Sequence, residues 1–256
     1  MAAEPLGRRR FMAQAAAGTS VLVLSGCDRL SQSTWFPRIL DSAEAVTRAV
    51  QRAITGHEAL APEYTEADLS PHFRSNGTHD PDNPDYAKLA ANGFAAWRLE
   101  VDGLVKRPTS LSLADLRALP SRTQITRHDC VEGWSCIGKW KGARLSALLD
   151  QFGVRPEARF VVFHCADPMD MSGTKYYESI DLGDAYHEQT ILAYEMNDQT
   201  LGVPYGAPLR LRNERQLGYK MAKYIMRIEL VDDFAKIGGG RGGYWEDQGY
   251  EWYAGI

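Results

Sequence analysis

Between residues 122 and 230 the chain is cut into short apolar runs, each fenced by Gly, Pro, Asn or Asp, and this punctuation restricts it to a fold of many short strands. Strands are expected over 122–127, 159–164, 176–180, 191–195, 208–211 and 224–230. A helix over Leu145–Phe152 interrupts them and stops at Gly153. Upstream, the alternation in Ala96-Trp97-Arg98-Leu99-Glu100-Val101 predicts another strand, Asp102-Gly103 a turn, and Ser112-Leu113-Ala114-Asp115 the start of a short helix with capping-box spacing. Short strands mixed irregularly with short helices predict an α+β fold rather than a doubly wound parallel sheet. The glycine run over 238–243 neither follows a clear strand nor opens a helix, so it reads as a bend rather than a nucleotide loop. The aromatic tail beyond it, Tyr244-Trp245 to Trp252-Tyr253, is expected to pack back onto the domain.

The chain has 256 residues and a formal charge of -4, enough for a substantial core and without the basic balance that nucleic acid requires. Arg8-Arg9-Arg10-Phe11-Met12 precedes a mild apolar stretch, Ala13 to Leu24, too short for a membrane span. This pattern resembles a twin-arginine export signal. Leu24-Ser25-Gly26-Cys27 resembles a bacterial lipobox, which would make Cys27 a lipid anchor; the other reading is an incidental thiol beside a peptidase site. The expected organisation is therefore a signal over 1–26, a tether and helix over 27–60, and one domain over 61–256. The tether covers 28–40, and the helix follows from apolar Ala43, Val46, Ala49, Val50 and Ala53, with Asp41 or Ser42 as cap. Residues 61–91, rich in Pro, Asn, Asp and Gly, read as a long irregular loop that lines a site.

Chemistry concentrates at Arg127-His128-Asp129-Cys130-Val131-Glu132-Gly133-Trp134, where a thiol in a Gly-flanked loop between a strand and a helix is open to a bulky soft-metal cofactor. In an exported protein Cys130, Cys136 and Cys165 make an odd number of thiols, so at least one stays unpaired within the chain if Cys27 is acylated. By spacing alone, a Cys130–Cys136 disulfide competes with metal binding. His128 and His164 precede Cys130 and Cys165 closely, which raises a zinc or copper site, although the tight ligand pairs that zinc favours are missing.

Four segments, in order, resemble the sulfite oxidase superfamily of molybdopterin enzymes: Phe73-Arg74-Ser75-Asn76-Gly77; Cys130-Val131-Glu132-Gly133-Trp134 with Trp140-Lys141-Gly142; Gly173-Thr174-Lys175-Tyr176; and Gly206-Ala207-Pro208-Leu209-Arg210 with Gly218-Tyr219-Lys220-Met221-Ala222-Lys223. The resemblance spans residues 71–253 and implies a sulfite-oxidase-like domain of mixed sheets holding one Mo-molybdopterin. It implies Cys130 as the protein ligand of molybdenum. It places Arg210 and Lys223, with the backbone near Met221 and Ala222, at the cofactor's phosphate. Phe73, Arg74, Asn76 and Gly77 match the stretch that wraps the pterin, and Cys165 and Tyr205 fall at further cofactor-contacting positions. Tyr205 departs from the Asn or His common there, and Cys165 reads equally well as a buried strand residue. Tyr176 matches the substrate-side tyrosine, with Tyr177 as the alternative, and Arg74 doubles as a group that orients an anionic substrate.

The resemblance further implies an oxidoreductase that transfers an oxygen atom, and with the signal and lipobox readings it is expected to be exported, periplasmic and membrane-anchored. With about thirty residues after Lys223, the chain resembles the bacterial periplasmic catalytic subunits that reduce methionine sulfoxide in proteins. Such a subunit takes electrons from an external partner, a haem-bearing membrane subunit or a cytochrome. Reduction of a sulfoxide or a related S- or N-oxide is the first expectation. Sulfite oxidation and a non-catalytic lipoprotein that keeps the fold are the alternatives.

Overall fold

The computed structural model describes Ser33, residues 35–56 and residues 58–256. The expected signal and Cys27 lie outside these residues. Helix α1 (Phe36–Thr55) starts five residues ahead of the expected Asp41, because the Ser33 hydroxyl accepts from the Phe36 amide at 3.2 Å, so the last part of the expected tether is helical. It lies mostly in a first unit ending at Arg52, and Ala53–Ile256 form a second compact unit. No helix among the described residues is long and apolar enough to cross a membrane.

In the second unit, residues 61–91 are irregular except for the 3₁₀ turn Glu66–Asp68, an isolated bridge at Glu63, and α2 (Pro84–Ala91). The Asn83-Pro84 pair, read as a loop signal, is instead a helix start. Asn83 accepts from the amides of Asp85 and Tyr86, and proline at the first helical position needs no donor. β1 (Leu99–Gly103), β2 (Thr109–Leu111) and α3 (Leu113–Ala118) follow. The capping box at α3 forms, with Ser112 and Asp115 bonding reciprocally. β1 begins later than Ala96, since residues 94–97 turn.

The long hairpin β3 (Ser121–Cys130) and β4 (Trp134–Arg144) comes next, then α4 (Leu145–Phe152), which ends at Gly153 as expected. β5 (Phe160–Pro168), β6 (Lys175–Asp181), α5 (Leu182–Ala185), β7 (Ile191–Met196), β8 (Gln199–Thr200), β9 (Arg210–Arg212), β10 (Ile225–Val231) and α6 (Tyr244–Asp247) complete the unit. One sheet has the order β2-β1-β10-β5-β6, with β1 parallel to β10 and its other pairs antiparallel. The second runs β3-β4-β7-β8, with β9 also on β7. Two separate sheets with short helices are the α+β arrangement expected.

The main core lies where the inner faces of both sheets meet α3 and α4. Val161, Phe163 and Ile228 come from the first sheet, Ala143, Leu192 and Leu211 from the second, and Leu148 from α4. The aromatic tail folds back, with Trp252 buried and its indole N–H donating to Ser179 Oγ at 2.8 Å.

β4 was not legible as a strand, because Lys139 and Lys141 alternate with the buried Trp140 and the glycines Gly138 and Gly142. The glycines reflect close packing: a Cβ on Gly142 would sit 2.2 Å from the Leu192 carbonyl oxygen across the β4–β7 pair. Gly142→Ala is therefore expected to lower the urea midpoint by the equivalent of about 1–3 kcal/mol, as overpacking does. An unchanged midpoint would show that β7 moves aside freely.

Candidate active site

The β3–β4 ladder pairs every residue from Ser121 with Ala143 to Cys130 with Trp134. Its three-residue loop Val131-Glu132-Gly133 closes with a Gly133 amide to Cys130 carbonyl bond of 3.0 Å, and Gly133 has φ 83. Cys130 thus ends a strand at a hairpin tip, not in a strand-to-helix loop. The register sets Cys136 opposite His128, and all three described cysteines are free thiols. The competing Cys130–Cys136 bridge is absent from this structure. Cys136 Sγ instead accepts from the Arg74 amide at 3.5 Å.

Cys130 lines a cavity of about 170 Å³ together with Asn76, Gly77, Tyr176, Met221 and Lys223 from the expected set. Segments far apart in sequence thus converge on the thiol. Burial raises the Cys130 thiol pKa, and the amides of Glu132 and Val131 with Arg74 only partly oppose it. A thiolate there calls for a cationic centre. Among the described residues no three His, Cys, Asp or Glu side chains gather to hold a metal ion, so a metal at Cys130 takes its other ligands from beyond the described residues.

The buried cations are the second feature. Arg210 is 1% exposed, donates from Nη1 to the Tyr205 carbonyl at 3.0 Å, and leaves Nε and Nη2 without partners. Burial, then the neighbouring Arg212, pulls its pKa down to about 9. Lys223 Nζ donates to the carbonyls of Asn76 (2.8 Å), Thr78 (2.5 Å) and Pro204 (2.7 Å), and burial, then Arg210, depresses it to about 7. Arg212 beside them is neutralised by Glu214, with contacts of 2.9 and 2.5 Å. Asp167 is the carboxyl that acts on Lys223 at the cavity wall, and Arg210 behind that wall has no hydrogen-bonded carboxylate, so the pair has positive charge to spare for a phosphate. Asn76 Oδ1 and Asp167 Oδ1, both buried and unpartnered, lie on cavity-lining residues, and they suit the polar edges of a pterin. The residues present fit molybdopterin.

The remaining expected residues surround this set. Phe73 is buried against Trp140 (ring centroids 5.3 Å apart), and its carbonyl accepts from the Tyr205 hydroxyl at 3.1 Å. Arg74 lies outside the cavity lining, over the Trp134 ring at 5.3 Å and 3.9 Å from Glu132. Ala222 is buried in the core. Cys165 packs in the main core and lines a separate groove, not the cavity with Cys130. Tyr176 hydrogen-bonds the Tyr219 carbonyl and lies 3.3 Å from Glu178 Oε2. Tyr177 points to the other face of β6, where its hydroxyl donates to Asp247 Oδ2 at 2.6 Å.

Sequence reasoning passed over Asp167 and the structural role of His128. Asp167 lies two residues after Cys165, and burial raises its pKa against the pull of the Thr78 hydroxyl and Lys223. His128 Nδ1 lies 3.0 Å from Arg212 Nη1, which can only donate, so the ring is neutral with its proton on Nε2. Burial, then Arg212, holds its pKa well below the ordinary histidine range. A Cβ on Gly218 would meet Nε2 at 2.4 Å, which explains a glycine in the cavity wall there.

A family model described as the oxidoreductase molybdopterin binding domain matches residues 87–236. The chain is 36% identical over 248 residues, covering 97% of itself and 87% of the relative, to a provisionally named protein-methionine-sulfoxide reductase subunit of Azospira oryzae. It is 34% identical over 169 residues to a protein-methionine-sulfoxide reductase catalytic subunit of Xanthomonas axonopodis pv. citri, covering 62% of the chain and 52% of that relative. The chain therefore spans about half the length of that catalytic subunit. Among solved structures, the sulfane dehydrogenase SoxCD from Paracoccus pantotrophus matches with a TM-score of 0.48 and 23% identity, over 54% of this chain and 39% of that one.

The Lys223 shift has a measurable sign. With a folded pKa of about 7 against an ordinary 10.5, the unfolded chain binds more protons between these values, so this residue's contribution to stability rises as pH climbs from 7 to 10.5. Urea unfolding of the cofactor-free protein is expected to show that rise, and inorganic phosphate to flatten it by restoring the charged lysine. A slope indifferent to phosphate would remove Lys223 from an anion site.

Proposed function

The chain belongs to the oxidoreductase molybdopterin-binding family, and from that membership we propose that it reduces a sulfoxide, of the kind methionine forms within proteins, by removing its oxygen atom. It is an oxidoreductase acting on sulfur groups, with Mo-molybdopterin as cofactor. The observation that carries the reading is one cavity walled by a lone thiol and by Lys223, with Arg210, which has no hydrogen-bonded carboxylate, close enough to depress that lysine. When bound, the cofactor supplies a metal centre that takes up or gives two electrons as an oxygen atom is exchanged.

The chain's own groups hold, orient and shield. Cys130 gives the thiolate ligand, and Arg210 and Lys223 hold the phosphate, with the Met221 and Ala222 backbone beside them. Asn76 and Gly77 would form the wall that wraps the pterin, Phe73 and Tyr205 would support it from behind, and Arg74 lies outside it over Trp134. Cys165, inside the core, supports that wall rather than touching the cofactor. Tyr176 presents a phenol to the substrate oxygen, and its pKa, raised well above the ordinary value by burial and then Glu178, keeps it a proton donor.

The cavity chemistry favours a neutral sulfoxide over sulfite. Lys223 is the one cation among the described lining residues, and in this reading the cofactor's phosphate takes it. With Lys223 on the phosphate, no cation among the described lining residues is left for sulfite, whereas Met169, Trp245 and Tyr250 offer apolar surface to a thioether. Sulfite oxidation remains the second reading, since the family chemistry runs in either direction. We place the enzyme in the periplasm, exported by the twin-arginine route, anchored through Cys27 and supplied with electrons by a haem-bearing membrane subunit or a cytochrome.

Protein from a cofactor-competent host is expected to turn over methionine sulfoxide anaerobically with reduced viologen, and turnover of sulfite alone, with ferricyanide, would reject sulfoxide reduction. In Cys130→Ser the Mo–S(cysteine) signal in X-ray absorption should vanish. Its kcat/KM should fall about 10³-fold or more, equivalent to about 4 kcal/mol of transition-state stabilisation. A metal-free wild-type protein would leave only the fold.

A further inference from the structure

Tyr176 leads from the cavity to a buried cluster that the site described so far does not use. Glu178 of β6, Lys220 of the 3₁₀ turn Gly218–Lys220 and Glu246 of α6 meet with side chains 0%, 0% and 1% exposed. Lys220 Nζ lies 2.5 Å from Glu178 Oε1 and 2.5 Å from Glu246 Oε1. One ammonium therefore faces two carboxyl groups. If both were ionised the cluster would hold an uncompensated buried negative charge, which costs several kcal/mol in a folded protein. Adjacent carboxyls avoid this by keeping one proton between them.

The surroundings agree with a shared proton. Burial raises Glu178 well above the usual carboxylate range, and Glu246 adds to the rise against the opposing pull of Lys220. Burial alone would lower Lys220, but the two carboxyls outweigh it and raise its pKa. Glu246 Oε2 is buried without a hydrogen-bond partner. The Tyr176 phenol has one proton and spends it on the Tyr219 carbonyl, so its contact of 3.3 Å with Glu178 Oε2 suits a carboxylic acid as the donor. The other charged or titratable neighbours are Cys165 and Asp167, which act on Tyr176, and Tyr177 with Asp247 on the opposite face of β6. Ser179 donates its amide to Glu178 Oε1 at 2.8 Å, and Trp252 covers Lys220 at 5.2 Å.

We propose that Glu178 and Glu246 share one exchangeable proton beside Lys220, and that Tyr176 relays it to the cavity that Cys130 lines. The destination rests on the sulfoxide reading above; the shared proton does not. Reducing a sulfoxide to a sulfide consumes two electrons and two protons and releases one water. The electrons come from the external donor. As the sulfoxide oxygen departs, the Tyr176 hydroxyl breaks its bond to the Tyr219 carbonyl and gives that oxygen its proton, and the Glu178 O–H breaks to restore the phenol. The second proton comes from solvent, which also reprotonates the carboxyl pair between turnovers. Glu178 and Glu246 are positioning residues that act through Tyr176.

Infrared spectroscopy of the full, cofactor-free chain tests the proton directly. At neutral pH a carboxylic acid C=O band is expected, shifted on transfer to D₂O and lost in both Glu178→Gln and Glu246→Gln. Each variant leaves a neutral Lys220–carboxylate pair and should stay folded. Asp167→Asn removes the other burial-raised carboxyl and should leave this band in place. Tyr176→Phe should retain the band and slow its exchange. A wild-type spectrum without the band, a band that survives both Gln variants, or exchange indifferent to Tyr176→Phe overturns the proposal. In the molybdenum-loaded enzyme the Gln variants should keep their metal content and KM while kcat for sulfoxide falls about 100-fold, the lower end for a positioned proton donor. Unchanged kcat would refute delivery to the cavity. Turnover of sulfite alone would sink the sulfoxide reading while the infrared result still decides the proton site.

Discussion

Trp140 is where three distant stretches of this chain are fixed to one another. Its indole is fully buried, with the Arg212 guanidinium 4.4 Å and the Arg210 guanidinium 4.9 Å from the ring centroid, and the Phe73 ring edge-on at 5.3 Å. A desolvated cation over an indole contributes about 2 kcal/mol or more, and an aromatic pair about 0.5–1.5 kcal/mol beyond the area it buries. β4 brings the ring, β9 the arginines, and the loop before α2 the phenylalanine. Once these are joined, Asn76 and Gly77 follow directly from Phe73 and Lys223 from the end of the turn after β9. The cavity wall is thus a consequence of one packed aromatic with two cations on it.

The two arginines show how structure and function divide a shared position. Both are side chains of β9, two residues apart and buried, but Arg212 has Glu214 as a bidentate partner and a neutral His128 at its other edge. Arg210 has a carbonyl and the indole face only. A protein that sought stability alone would give Arg210 a carboxylate or replace it with an apolar residue of similar volume. The unmet charge instead makes the empty fold less stable than it could be and couples folding to the arrival of an anion, because a ligand that binds only the native state stabilises it by mass action.

The sequence carried some of this in plain sight. The α3 capping box, α4 with its Gly153 stop, and five of the six expected downstream strands were legible because their punctuation is local, and the sixth, at 208–211, shrank to Arg210–Arg212. β4 was not, since lysines face outward between glycines that the neighbouring strand needs small. Nor was α2, whose Asn-Pro start has the composition of a turn. The order of segments led to Cys130, Tyr176 and Lys223, which do share a cavity wall, but it could not separate Cys165 or Arg74 from that wall. Asp167, Glu178, Lys220 and Glu246 left no signal, because a buried charge is meaningful only beside its partner and those partners lie 26 or 42 residues away for Lys220.

Both imbalances of buried charge adjoin the same cavity, and chemistry resolves them differently. Arginine does not give up its proton in a protein, so an excess of guanidinium beside Lys223 can be settled only by an incoming anion. A carboxyl pair around one ammonium can settle its own excess by taking a proton from water. The first imbalance makes the site receptive to a phosphate-bearing group, and the second leaves a neutral, dischargeable acid against Tyr176. A reaction that removes oxygen as water needs a held cofactor and a source of protons. On the proposed reading this fold meets both needs with the same device, a buried charge short of one partner.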